Sequence, residues 1–224
     1  MNVVVTGANR GIGLELVRQL LARGDQVEAA CRRPDDAREL RATGARLHAV
    51  DVADGANVAT FADALGDLPI DLVINNAGVF GDMRQRLADF NYESATRTFE
   101  VNALGALRVS QALLPHLRRG TGKKLAYISS VLGSISNTTA PDHLAYRVSK
   151  AALNMIARSI AFELRDDRIL SIVVHPGWVR TAMGGPDAPT SPAEAAEAIL
   201  AQIDAATFTE TGEFLDTQGA RCAW

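Results

Sequence analysis

The spacing of Tyr146 and Lys150 is the feature of this 224-residue sequence that most directly suggests chemistry. On a helix, residues four apart share one face, which brings a phenol beside an ammonium group. A phenol keeps its proton to about pH 10, but a nearby cation stabilises the phenolate and lowers the pKa. Tyr146 is therefore a candidate acid or base. The alternative is an ordinary helix surface pair.

A glycine-rich turn is the second candidate site. It joins an apolar run at 2–6 to a stretch in which Ile12, Leu16 and Leu20 recur every four residues. Glycine permits close approach to a ligand, and the N-terminus of a helix offers unpaired N–H groups to a phosphate. The spacing is G-x-x-x-G-x-G rather than G-x-G-x-x-G, so an ordinary strand–helix turn is the alternative. The candidate pyrophosphate-binding residues are Gly7, Asn9, Arg10, Gly11, Ile12 and Gly13.

Two arginines, Arg32 and Arg33, follow the second predicted strand. An NAD-binding unit usually has an acidic residue there for the ribose hydroxyls. A guanidinium group suits a phosphate instead, so we predict that Arg32, aided by Arg10 or Arg33, binds a 2′-phosphate and that NADP is favoured over NAD. A solvated basic loop is the alternative, and it applies more to Arg33.

Two more polar segments follow predicted strands. Asp51 and Val52 place a carboxylate beside an apolar side chain, a plausible clamp for adenine, although Asp51 could equally cap the next helix. After the fourth strand come Asn76, Ala77 and Gly78, whose small size lets the backbone pass close to a nucleoside. An ordinary turn is the alternative.

The elements that must position these residues alternate between short apolar runs and amphipathic stretches. That alternation is typical of an α/β protein with a single Rossmann-type, doubly wound parallel sheet and helices on both faces. Ligands of such a sheet bind beyond the carboxyl ends of the strands. We expect one domain over 1–224, with a Gly- and Pro-rich loop at 182–190. Strands are predicted at 2–6, 26–30, 46–50, 70–74, 124–128, 169–175 and, more weakly, 213–215. Helices are predicted at 11–23, 35–41, 57–65, 92–117, 144–165 and 192–203.

Charge and composition exclude several classes of partner. With 23 Lys and Arg against 26 Asp and Glu, the net charge is −3, which favours neither nucleic acid nor anionic lipid. No apolar run approaches the ~18 residues of a membrane span, and 2–6 predicts a strand rather than a signal peptide. Cys31 and Cys222 are far apart, as expected of free thiols in the cytoplasm. The four histidines lack metal-ligand spacing, so no metal is predicted.

The motifs together resemble the short-chain dehydrogenase/reductase family. TGANRGIG, NNAG, Asn102, ISS, YRVSK and PGWVRT occur in order along nearly the whole chain. HPGWVRTAMGG and SKAALN are most similar to the branch of C-factor-like proteins and sniffer-type carbonyl reductases. The resemblance implies a sheet of about seven strands and hydride transfer between a nicotinamide and a small carbonyl or alcohol substrate.

The resemblance also implies roles for individual residues. Tyr146 would protonate the carbonyl oxygen, and Ser130, rather than Ser129, would polarise it. Lys150 would bind the nicotinamide ribose and lower the pKa of Tyr146, while Asn102 would hold a water in the proton relay. The nicotinamide would contact Pro176, Gly177, Val179 and Thr181.

Two departures from the family pattern concern the substrate. Fifteen residues separate Ser130 from Tyr146, so we expect an insertion at 137–142 to bulge near the pocket, and the short loop after Thr181 should leave the cleft open. His143 could touch the substrate. For each residue predicted to line the substrate pocket, an ordinary role in the core is the alternative. These residues are Phe80, Leu132, Ile135, Trp178 and Met183.

Other functions remain open from sequence alone. An NAD(P)-binding signalling or redox-sensing protein with incidental catalysis is the second hypothesis, and the intact Ser130, Tyr146 and Lys150 set argues against pure binding. A methyltransferase or a nucleotide-sugar epimerase is the third, and the glycine spacing argues against it. The helices predicted at 102–117 and 144–165 are apolar around much of their circumference, which either an interface with another subunit or contacts within the monomer would explain. Together with the family resemblance, this pattern leads us to expect a homo-oligomer, a dimer or a tetramer.

Overall fold

Seven parallel strands form one sheet in the computed structural model, which describes residues 1–224, and their order is β3-β2-β1-β4-β5-β6-β7. Every neighbouring pair is parallel. The doubly wound α/β prediction is confirmed. The strands are β1 Asn2–Thr6, β2 Gln26–Cys31, β3 Arg46–Ala49, β4 Leu72–Asn75, β5 Lys124–Ile128, β6 Leu170–Val174 and β7 Phe214–Leu215.

Seven helices flank the sheet: α1 Gly11–Ala22, α2 Arg38–Arg41, α3 Gly55–Ala64, α4 Tyr92–Phe99, α5 Gly105–Arg119, α6 Leu144–Glu163 and α7 Pro192–Ala205. The single helix predicted at 92–117 is wrong, because a turn of π-helix at Glu100–Leu104 separates α4 from α5. The start predicted for α7 is confirmed. Ser191 accepts a hydrogen bond from the Glu194 amide, and the Glu194 carboxylate accepts one from the Ser191 amide.

The core lies in two layers, one on each face of the sheet. Val3 and Val5 of β1 face the layer that holds α1 and α7, while Val4 faces α3, α5 and α6. Burial on both faces explains why central strands such as β1 and β4 are largely continuous apolar runs rather than alternating ones. None of the helices combines the length and the apolar character that a membrane crossing requires.

The strand order reverses between β1 and β4, and the carboxyl ends of the central strands lie side by side there. Val5 pairs with Ile74, and Ile128 pairs with Val174. In parallel sheets this reversal opens a crevice for ligands. Irregular segments at 134–143 and 182–190 follow β5 and β6 at the same end of the sheet.

Candidate active site

The glycine-rich turn brings β1 and α1 together with little room to spare. Gly7 and Gly11 have φ angles of +65° and +55°, which other residues adopt only with strain. A Cβ on Gly13 would collide with the carbonyl oxygen of Gly7. No side chain caps the first turn of α1, so its amides remain available to an anion. The turn therefore has the shape and the donors that a pyrophosphate requires.

A cavity of about 430 Å³ runs along the carboxyl ends of the strands. It collects most of the residues that the sequence singles out for a dinucleotide: Gly7, Asn9, Arg10, Gly11, Ile12, Gly13, Arg32, Asp51, Val52, Asn76, Ala77, Gly78, Tyr146, Lys150, Pro176 and Thr181. Gly177 and Val179 are not among its lining residues. Val179 is buried, and its carbonyl accepts a hydrogen bond from the Thr181 amide at 2.8 Å. It therefore shapes the loop that presents Thr181.

Arg32 and Arg33 differ in their neighbours. Both are exposed, but Arg33 pairs with Asp36 at 3.3 Å while no ion pair engages Arg32. Arg32 lines the cavity and Arg33 does not. This arrangement favours Arg32 as the guanidinium group available to a phosphate.

Asp51 does not cap α3, because that position belongs to Asp54, whose side chain accepts from the first-turn amides. The carboxylate of Asp51 instead accepts from the Ala53 amide at 3.0 Å and from Arg97 at 2.9 Å. Burial alone would raise the pKa of Asp51, but these hydrogen bonds outweigh it and hold the pKa below its usual value. Asp51 is thus a fixed carboxylate acceptor at the cavity wall.

Asn76 ties the end of β4 to the glycine-rich turn. Its amide group donates to the carbonyls of Thr6 and Gly7 at 2.9 and 3.2 Å. The Thr6 hydroxyl in turn accepts from the backbone amides of Asn76 and Ala77, each at 3.1 Å. The sequence interpretation misses Thr6, although a hydroxyl directly before the first glycine is a signal that could have pointed to it.

Ser130, Tyr146 and Lys150 are all buried. Tyr146 and Lys150 line the cavity, and so does Ser129, whereas Ser130 is not among the lining residues. The Ser130 side chain is close enough to the Tyr146 phenol to lower its pKa, and the Ser130 oxygen accepts from the Leu132 amide at 3.1 Å. The ammonium group of Lys150 lies 5.8 Å from the centre of the Tyr146 ring and donates to the carbonyl of Ile128 at 2.8 Å. Ser129 is turned away from this group, since its hydroxyl donates to Asn154 at 2.6 Å.

The pKa values of Tyr146 and Lys150 are set by burial. Loss of solvent raises the pKa of Tyr146 to about 12, although the nearby Ser130 side chain lowers it in part. Burial lowers the pKa of Lys150 to about 8. With a pKa of about 12, Tyr146 is protonated at neutral pH. Burial, which disfavours the phenolate, is the largest cause of this shift. That Lys150 lowers the pKa of Tyr146 stays a prediction.

Asn102 occupies the π-helical turn at the start of α5. Its amide nitrogen donates to the Val79 carbonyl at 2.8 Å and to the Ser149 hydroxyl at 2.9 Å. Its oxygen accepts from the Val79 amide at 2.8 Å. The side chain thus fastens the segment after β4 to α6, beside Lys150. That Asn102 holds a water stays a prediction.

The predicted substrate walls divide into two groups. Phe80 packs on the Tyr146 ring with the ring centres 4.9 Å apart, and His143 contacts Phe80 at 4.8 Å. Ile135 and Trp178 are 78% and 57% exposed, and Met183 is also exposed and lines the cavity. Exposure excludes a core role for these last three. Leu132 is half-buried in the turn that follows Ser130.

Comparison with known families identifies the class. The model of the short chain dehydrogenase family matches residues 1–191. The chain belongs to this family of oxidoreductases, in agreement with the fold and with the arrangement of Ser130, Tyr146 and Lys150.

Individual relatives are similar over much or all of the chain. C-signal from Myxococcus xanthus is 44% identical over 156 residues, which cover 70% of this chain and 93% of that protein. The carbonyl reductase Sniffer of D. melanogaster superposes with a TM-score of 0.93 at 28% identity, over 100% of this chain and 99% of that one. An NADPH-bound carbonyl reductase from chicken fatty liver superposes with a TM-score of 0.91 at 30% identity, covering 100% and 98% of the two chains.

Proposed function

We propose that this protein is an NADP-dependent carbonyl reductase that converts a small aldehyde or ketone to an alcohol, or catalyses the reverse. The observation that carries the proposal is the buried pair of Tyr146 and Lys150 in the cavity wall, with buried Ser130 acting on the Tyr146 phenol. A proton donor and a cation thus face the cavity, with a hydroxyl group beside the donor. The similarity to carbonyl reductases, one of them NADPH-bound, supports it.

The cavity residues fit a dinucleotide in order along its length. The amides of 11–13 would hold the pyrophosphate, and Arg32 would hold the 2′-phosphate. Asp51 and Val52 would clamp the adenine, while Lys150 would bind the nicotinamide ribose. When bound, the reduced nicotinamide supplies the hydride that the carbonyl carbon accepts.

Ser130, Tyr146 and Lys150 would carry out the proton transfer. The hydroxyls of Ser130 and Tyr146 both hydrogen-bond to the substrate oxygen and orient it. As the C=O bond is reduced, its electron pair moves to the oxygen, which takes the proton of Tyr146. The Lys150 ammonium stabilises the phenolate that remains, and solvent then reprotonates it. A tyrosine whose pKa is about 12 is suited to this direction, because it holds its proton until the substrate oxygen becomes basic.

The walls of the open cleft favour a neutral, apolar substrate. Ile135, Trp178 and Met183 present apolar surface. Arg147, next to Tyr146, is paired with Asp142 at 2.9 Å, and Arg180, which lines the cavity, donates its guanidinium N–H to the Ala188 carbonyl. We also propose that the sheet and its loops form one domain. The homo-oligomer and the cytoplasmic location stay predictions.

A signalling or redox-sensing protein on the same fold is the second candidate. The observation that favours it is the 44% identity to C-signal, a protein named for a signal. This candidate needs the nucleotide site but not the proton chemistry of Tyr146. Turnover therefore distinguishes the two.

The test is a titration with NADPH and NADH, followed by a panel of aldehydes and ketones with the cofactor that binds. We expect NADPH binding and turnover. Tyr146→Phe should abolish turnover and leave NADPH affinity unchanged, because it removes only the transferable proton. Binding without turnover on any carbonyl favours the sensing candidate, and full activity of Tyr146→Phe contradicts the proposed chemistry.

A further inference from the structure

Gln85 is buried in a segment that is otherwise exposed. Its side chain belongs to the stretch between β4 and α4, where Met83 and Leu87 are 75% and 93% exposed, yet Gln85 is only 3% exposed. A glutamine is rarely buried unless its amide group has hydrogen-bond partners. The partners of Gln85 therefore indicate what holds it in place.

Those partners connect two parts of the active site. The Gln85 side-chain oxygen accepts from the backbone amide of Tyr146 at 3.1 Å. Its nitrogen donates to the carbonyl of Phe80 at 3.2 Å and also to the carbonyl of Asp82. One side chain thus bonds to the backbone of Tyr146 and to that of Phe80, whose ring packs on the Tyr146 ring.

The start of α6 explains why this bond is needed. The residue before the helix, His143, has a left-handed conformation with φ of +56° and makes no capping hydrogen bond. The Tyr146 amide is one of the first-turn donors that a helix leaves unpaired. Gln85 supplies from a distant segment the acceptor that a local cap ordinarily supplies.

The segment that carries Gln85 is folded on itself around Asp82. The Asp82 carboxylate accepts from the Arg84 amide and from the Asn91 side chain, and the Asp82 amide donates to Ser94. These bonds all remain within this segment and the start of α4. Gln85 is the residue of this segment whose side chain hydrogen-bonds to α6.

We propose that Gln85 is a positioning residue for Tyr146, which holds the first turn of α6 and the Phe80 wall in one fixed arrangement around the substrate carbonyl. The inference rests on the proposed function, and it adds a residue that touches neither cofactor nor substrate. Gln85 acts through the Tyr146 backbone, which sets where the phenol points, and through Phe80, which sets how the substrate approaches.

Two substitutions separate these effects. Gln85→Met keeps the length of the side chain and removes every hydrogen bond. Gln85→Glu keeps an acceptor for the Tyr146 amide but loses the donor to Phe80 and Asp82. Arg86→Ala is the matched control, because Arg86 is the adjacent residue, is exposed and has no hydrogen bond from its side chain.

The measurements are kcat, KM for the carbonyl, the Kd of NADPH and the amide hydrogen exchange of the peptide around Tyr146. For Gln85→Met we expect kcat/KM to fall about 10- to 100-fold, with faster exchange and an unchanged NADPH Kd. For Gln85→Glu we expect a raised KM, with kcat and amide protection near those of the wild type. Arg86→Ala should match the wild type throughout.

Two results would overturn the proposal. One is a Gln85→Met variant with wild-type kinetics and exchange. The other is an equal loss of NADPH affinity and kcat/KM, which would mean a general structural defect. If the wild type reduces no carbonyl, the proposed function fails on its own, and hydrogen exchange then decides whether Gln85 holds the Tyr146 backbone.

Discussion

The charged ammonium group of Lys150 is buried, which costs free energy of folding. The residue is 4% exposed, and the Ile128 carbonyl is its one hydrogen-bond partner in the protein. Burial lowers its pKa to about 8, against about 10.5 for an exposed lysine. Each unit of such a shift corresponds to about 1.4 kcal/mol. The folded protein therefore carries at neutral pH a cost of a few kcal/mol that its proposed chemistry requires.

Removing this charge should stabilise the protein and inactivate it. We expect Lys150→Met to raise the melting temperature of the cofactor-free protein by several degrees at pH 7, while turnover falls about 100-fold or more. The cost in stability of the buried Lys150 charge is full below pH 8 and disappears as pH rises toward 10.5, where the unfolded chain also loses the proton. The rise in melting temperature caused by Lys150→Met should therefore shrink between pH 8 and 10.5. Thermal melts from pH 7 to 10.5 measure it, and a lower melting temperature at pH 7 would contradict the argument.

Arg32 makes a separate prediction about the choice of cofactor. Hydrogen bonds to a charged group contribute about 1.5–3 kcal/mol, so Arg32→Ala should weaken NADPH binding by roughly 10- to 100-fold. NADH lacks the 2′-phosphate, and its affinity should stay the same. Arg33→Ala is the control, because Arg33 already pairs with Asp36. Equal losses for both nucleotides would refute the assignment, and fluorescence titration measures them.

At the scale of elements, the packing of the turn after β5 against α6 positions Ser130 relative to Tyr146. Ser130 and Tyr146 come from different elements, since Ser130 directly precedes the short 3₁₀ turn at Val131–Gly133 and Tyr146 belongs to the helix α6. The turn packs directly on the helix backbone at Gly133, where a Cβ would lie 2.7 Å from the carbonyl carbon of Lys150. Backbone atoms cannot move aside as a flexible side chain can. The absence of a side chain at Gly133 thus lets the turn after Ser130 pack against α6 at Lys150.

Gly133→Ala should push this turn away from α6 and separate the hydroxyls. We expect kcat to fall about 10- to 100-fold. NADPH affinity should fall less, because the collision is with Lys150, which would hold only the nicotinamide ribose, while the proposed phosphate contacts are unchanged. Gly55→Ala is the control, since a Cβ at Gly55 meets nothing closer than 3.9 Å. Steady-state kinetics and an NADPH titration measure both. Wild-type kcat in Gly133→Ala would show that the spacing of the hydroxyls is not critical.

Across the whole molecule, the sequence predicts the sheet and the nucleotide cavity because their signals are local. Apolar runs mark the strands, and the motif residues follow them directly, as at Gly7 and Asn76. Other features depend on distant partners and carry no such signal. Gln85 acquires its role from the Tyr146 amide, and the pKa of Tyr146 depends on burial by elements far along the chain.

At the amino ends of the strands, opposite the cavity, one buried carboxylate hydrogen-bonds to the backbone of neighbouring strands. Asp71, just before β4, accepts from the Asn2 amide of β1 and from the amides of Thr121 and Gly122 before β5, at 2.8 to 3.0 Å. Burial alone would raise the pKa of Asp71, but the hydrogen bonds outweigh it and hold the pKa below its usual value. Asp71 lies at the amino ends of the strands, away from the cavity.

The charge on Asp71 should therefore contribute to stability and not to activity. The contribution is present above the ordinary aspartate pKa of 3.8 and is lost as pH falls through the lower pKa of the folded state. We expect Asp71→Asn to lower the free energy of unfolding by about 1–3 kcal/mol at pH 7. The difference in the free energy of unfolding between the wild type and Asp71→Asn should become smaller below about pH 4, where the Asp71 carboxyl of the unfolded wild type is already protonated. Urea unfolding at pH 7 and at lower pH measures this, with kcat as the internal control. A fall in kcat for the folded variant would mean that the amino ends of the strands do affect the chemistry at their carboxyl ends.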